Sequence, residues 1–66
     1  MKLTDLWARL EESFGVGYAH SLAHDQVIRE LGGRTIEQAL AEGEEIATVW
    51  RGVVAAFRDR VPNRLH

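Results

Sequence analysis

The sequence predicts an all-α fold, a small bundle of three main helices with one short helix ahead of the last. Three observations predict it. Apolar residues recur at helical spacing, about 100° per residue, along each long segment. Glycine or proline closes every segment: Gly15 and Gly17, Gly32 and Gly33, Gly43, and Pro62. The chain has 66 residues, 45% of them hydrophobic, which suits one domain near the lower size limit for folding without staples.

The first helix is expected from Asp5 to Phe14, with Thr4 as N-cap and Asp5 in the favourable first turn. Leu3, Leu6, Trp7, Leu10 and Phe14 form its apolar face, and Arg9, Glu11, Glu12 and Ser13 lie off it. Gly15 is the expected left-handed residue after it. A second helix is expected from Tyr18 to Leu31, closed by Gly32. Ala23, Val27, Ile28 and Leu31 fall on one side of it with His20 and His24, while Tyr18 and Leu22 fall on another. Two apolar sides call for neighbours on both, which places this helix in the middle of the bundle.

Thr35 followed three residues later by Gln38 is a capping-box pattern for a third, short helix, Ile36 to Glu42, stopped by Gly43. So short a helix needs tertiary contacts to persist. The fourth helix is expected from Glu44 or Glu45 to Arg60, with acids at its start and arginines at its end as the macrodipole favours. Ile46, Val49, Trp50, Val53, Val54 and Phe57 make the cleanest amphipathic stripe in the chain. Gly52 interrupts it, at a cost of up to about 1 kcal/mol against alanine unless something packs closely there. Pro62 ends the helix, and residues 62–66 read as a short flexible tail.

Composition narrows the function classes. The chain has no cysteine, which excludes disulfides and thiolate metal sites and fits a reducing compartment. No apolar run approaches the roughly 20 residues of a bilayer span, and the start, MKLTDLWARLEE, lacks the pattern of a signal peptide. A cytoplasmic protein without membrane contact is expected. Net charge is −2 but uneven: residues 1–49 hold four basic and nine acidic groups, leaving −5, whereas Arg51, Arg58, Arg60 and Arg64 against Asp59 leave +3 in residues 50–66.

Several constellations deserve weighing as sites. His20 and His24, four apart, can share a helix face, but two imidazoles without a third ligand do not make a zinc site, so no metal is expected. Ser21, His24 and Asp25 supply the residue types of a hydrolase triad without a nucleophile elbow or an oxyanion hole, so no catalytic set and no cofactor are expected. Gly33, Arg34 and Thr35 place backbone donors, a guanidinium and a hydroxyl at a helix start. That is the make-up of an anion nest, although helix stop plus helix cap accounts for the same residues. As a helix-turn-helix, the third helix would offer Glu37, Gln38 and Glu42 to DNA, the wrong sign against phosphate. Weak backbone contact through Arg51, Arg58, Arg60 and Arg64 is left open. Trp7 and Trp50 fit core packing, yet an aromatic beside an arginine is also the composition of an interface hot spot, and Trp50-Arg51 is the pair that fits it.

In order along the chain stand Phe14-Gly15, Tyr18, Asp25-Gln26-Val27, Gly32 to Thr35, Ala39 to Gly43 and Val49 to Arg51. Together these segments resemble the small actinobacterial proteins grouped as domain of unknown function 3046, over nearly the whole chain. The sequence departs from the family at Gln26, where relatives often carry His, and at Val53-Val54, near which they carry a Cys. The resemblance implies a cytosolic bacterial protein with no assigned activity and no catalytic residues to carry over. It also implies a recombination and DNA-repair neighbourhood, by gene proximity alone. The residues and the resemblance together lead to a non-enzymatic helical module that contacts a protein partner or a second copy of itself. The alternative is a nucleic-acid accessory protein using the C-terminal arginines.

Overall fold

A computed structural model describes all of residues 1–66. It contains α1 (Leu3–Phe14), α2 (Val16–Asp25), α3 (Ile36–Ala41) and α4 (Ile46–Ala56), with single 3-10 turns at Arg29–Leu31 and Asn63–Leu65. The all-α class and the three long helices plus one short one are as the periodicity predicts.

α1 starts at Leu3, two residues earlier than expected. The Asp5 carboxylate accepts the Lys2 backbone N–H at 3.0 Å, so the acid satisfies the helix entry and Thr4 lies inside the helix, exposed. Leu6, Leu10 and Phe14 are buried, whereas Leu3, in the open first turn, is 47% exposed. Gly15 alone joins α1 to α2. Its φ of +87° is the positive value expected, but its ψ of 150° is extended rather than left-handed helical. Its N–H donates to Glu11 O at 2.8 Å and its carbonyl accepts the Ala19 N–H at 2.9 Å, closing one helix and opening the next. α2 therefore begins at Val16, and Gly17 lies within it rather than ahead of it.

The single helix expected from Tyr18 to Leu31 is two elements. α2 stops at Asp25, the chain extends through Ile28, and Arg29–Leu31 makes one 3-10 turn. The reason lies in the buried face. Ala19, Leu22 and Ala23 point into the core, and at about 100° per residue an unbroken helix would carry Ile28 to the opposite side and Leu31 well off it. Breaking the helix lets both be buried. The break is held by the Ile28 N–H donating to Arg34 O at 2.9 Å and the Gly33 N–H donating to Ile28 O at 3.1 Å. Gly32 and Gly33, at φ +73° and +76°, supply the two successive left-handed positions this tight return needs.

α3 carries the expected cap: the Gln38 N–H donates to Thr35 Oγ1 at 3.1 Å while the Thr35 N–H donates to Gln38 Oε1 at 2.8 Å. α4 buries Val49, Trp50, Gly52, Val53 and Val54 and packs against α1, the 29–31 turn and α3. It is thus the central element, a correction to the placement of the second helix there; α2 packs mainly against α1 and α3. α4 also ends at Ala56, not Arg60. The Arg60 and Val61 amides both return to Phe57 O, Phe57 packs edge-on to Phe14 at 5.3 Å, and Val61 is buried just before Pro62. Arg58, Arg60 and Arg64 consequently lie beyond the helix, where the macrodipole does not account for them.

The tail folds back on α4. The Trp50 indole N–H donates to Leu65 O at 2.8 Å, Arg64 pairs with Glu12 of α1, and His66 Nε2 lies 3.0 Å from Val61 O.

Candidate functional site

α2 packs against α1, and helical spacing puts Leu3, Trp7 and Glu11 on one side of α1 and Val16, His20 and His24 on one side of α2. The two ridges meet at Trp7 and His20, whose rings stack with centroids 4.7 Å apart and planes 17° from parallel. Trp7 is half-buried and His20 exposed, so the stack forms part of the surface. Leu3 one turn from Trp7, and Val16, 66% exposed, one turn from His20, extend it into a diagonal apolar stripe across two rigid helices.

Carboxylates border the stripe. Glu11 Oε2 lies 3.6 Å from His20 Nε2. His24 Nδ1 lies 3.1 Å from Glu37 Oε1 of α3, and its Nε2 lies 3.8 Å from Asp25 Oδ1. The hydrogen bond with Glu37, then the Glu37 charge and the Asp25 charge, raise the His24 pKa above the ordinary imidazole value. The two histidines thus turn to different helices, one toward α1 and the other toward α3. No group of three His, Asp or Glu side chains comes together as a metal-binding set. No hydrogen bond links Ser21 to His24.

The anion nest read at Gly33, Arg34 and Thr35 is occupied by the protein itself. The Gly33 and Thr35 amides donate to Ile28 O and Gln38 Oε1. Arg34 donates through Nε to Leu31 O at 2.7 Å and through its two terminal nitrogens to Glu42 at 2.9 Å and Glu44 at 2.8 Å. These bonds, to Glu44 first and Glu42 second, raise the guanidinium pKa still further and bind the 28–34 loop to both ends of the α3–α4 connection. The Gly33 and Thr35 amides and three guanidinium N–H groups are thus used within the fold.

Trp50 is also placed differently from a surface anchor. It is 4% exposed, bonded to Leu65 O, with the Arg9 guanidinium 5.7 Å from its ring centroid. Arg51 beside it is exposed and donates to Thr48 Oγ1 at 3.0 Å. Of the remaining arginines, Arg60 lies over the Phe14 ring at 5.3 Å, Arg64 is paired with Glu12, and Arg58 is exposed. The aromatic at the surface is Trp7 instead. The 3, 7, 11 and 16, 20, 24 spacings were visible in the sequence, but the stacking that joins them crosses two helices, and periodicity within one helix cannot register it.

The family model described as protein of unknown function (DUF3046) matches residues 1–64. The chain belongs to this family. No curated protein and no solved structure matches it. The segments that carry the family likeness fall on positions the fold itself uses: the paired positive-φ glycines 32 and 33, the Arg34 and Thr35 side chains, the Gly43 turn at φ +87°, and buried Val49 and Trp50. No helix of the protein is long and apolar enough to cross a membrane.

Proposed function

We propose that the protein is a non-catalytic docking domain of the cytoplasm, which holds a protein partner on the α1–α2 face. The observation that carries this reading is the Trp7–His20 stack, an aromatic pair left at the surface and continued by exposed Leu3 and Val16. Contiguous apolar surface on rigid elements is where protein partners bind, and a large aromatic anchor at its centre is the composition of a binding hot spot. Leu3 and Val16 are outside the buried core, so their apolar side chains are available at the surface.

The test is affinity capture from a lysate of the native host, with and without nuclease, comparing the wild-type chain with Leu3→Glu/Val16→Glu. The expected result is a discrete protein that survives nuclease and is lost with the double variant, whose circular dichroism and melting temperature match the wild type. Capture unchanged by the double variant, or dependent on intact nucleic acid, would overturn it. The arginine-based reading has less support, because Arg60 and Arg64 are engaged within the chain.

A further inference from the structure

We propose that the occupant of the α1–α2 face is a basic amphipathic helix; this rests on the docking role above and adds the chemistry of the partner. The charge around the stripe is one-sided. Its carboxylates are Glu11, Asp25 and Glu37, each set against an exposed histidine that is uncharged in the formal count at pH 7.

Cations that would balance these acids are directed elsewhere. Arg9 lies over Trp50, and Arg34 is tied to Glu42 and Glu44. Arg64 serves Glu12, so Lys2 and the exposed Arg29 are the side-chain cations of residues 1–37 left without such a commitment. An apolar stripe edged by three carboxylates that face only two histidines is complementary to a segment that is apolar on one face and basic at its margins.

The form of the partner follows from the shape of the face. Two side-by-side helices with anchors one turn apart accept a third helix that presents residues at i, i+3, i+4 and i+7. Strand addition needs an exposed sheet edge, and the only bridge here, Ile28 with Arg34, is isolated and internal to a loop. Helix on helix is the geometry that this surface offers.

The probes are two designed 18-residue helical peptides with leucines at one face, one carrying lysines on the other face and one carrying glutamates. Each is titrated into the 15N-labelled protein. The lysine peptide is expected to shift the Trp7 indole N–H and the amides of Leu3, Glu11, Val16 and His20, leaving the Trp50 indole in place. Its affinity is expected to fall as salt is raised from 50 to 500 mM, and by roughly two- to fivefold in Glu11→Gln/Glu37→Gln. The glutamate peptide is expected to leave the spectrum unchanged. Equal binding of both peptides, shifts centred on Arg51 and Arg58, or no shift at millimolar lysine peptide would overturn the proposal. Self-association of the protein alone, seen by light scattering and lost in Leu3→Glu/Val16→Glu, would overturn it in favour of a second copy. If capture from lysate depends on Leu3 and Val16 while the lysine peptide fails, the docking role stands and only the basic helix is refuted.

Discussion

Gly52 of α4 packs directly against Leu31 of the 3-10 turn, so that a Cβ at position 52 would overlap Leu31 Cδ2 and lie 3.3 Å from Glu30 O. In an exposed helix, Gly→Ala is worth up to about 1 kcal/mol of added stability. Here the sign reverses, because Leu31 is buried and would have to shift within the packed core to admit the methyl group. Gly52→Ala is expected to destabilise the protein by about 1–3 kcal/mol. Urea unfolding with an unchanged m-value checks it, and a gain in stability would show that the 29–31 turn yields easily.

That contact also explains what was legible in the sequence and what was not. Helix number, order and the capping box at Thr35 could be read because each depends on neighbours within a few residues. The break after Asp25 could not, because Val27, Ile28 and Leu31 sit at spacings that suit a helix, and only the direction of the core relative to Ala19 and Leu22 forbids it. Gly52 read as a weakness until its partner was in view. At the candidate site the individual residues were visible, but the Trp7–His20 stack and the burial of Trp50 are relations between helices.

Thr35 and Gln38 exchange two hydrogen bonds at the start of a helix of six residues. Thr35→Ala is expected to cost about 0.5–2 kcal/mol, and Thr35→Ser much less, since serine keeps the acceptor. Thermal melts of the two variants check this; equal loss in both would mean that the threonine methyl group, not the cap, is what α3 requires.

Trp50 and Leu65 hold the tail through one hydrogen bond of 2.8 Å. Trp50→Phe keeps an aromatic ring in the core and removes that donor, at an expected cost of about 1 kcal/mol. Hydrogen exchange should then accelerate at the Leu65 and His66 amides while those of α1 stay protected. Unchanged exchange at the tail would show that Val61 and the Arg64–Glu12 pair suffice to hold it.

His24 binds its proton more tightly in the folded protein than in the unfolded chain, chiefly because of Glu37. Its contribution to stability is therefore fully present below about pH 6.5, the unfolded value, and is lost as pH rises through the raised folded value. Both side chains are exposed, so the effect on stability is small. The expected observation is an NMR titration in which the His24 midpoint drops in Glu37→Gln. An unmoved His24 midpoint would mean that the α2–α3 clasp does not form in solution.

The docking face is tested most directly in living host cells with a photo-crosslinking amino acid at Val16, and the same probe at Arg58 for comparison. The docking account predicts a discrete protein adduct from position 16 that disappears when Leu3→Glu is added, and none of comparable yield from position 58. Adducts from position 58 alone, or to nucleic acid rather than protein, would contradict it.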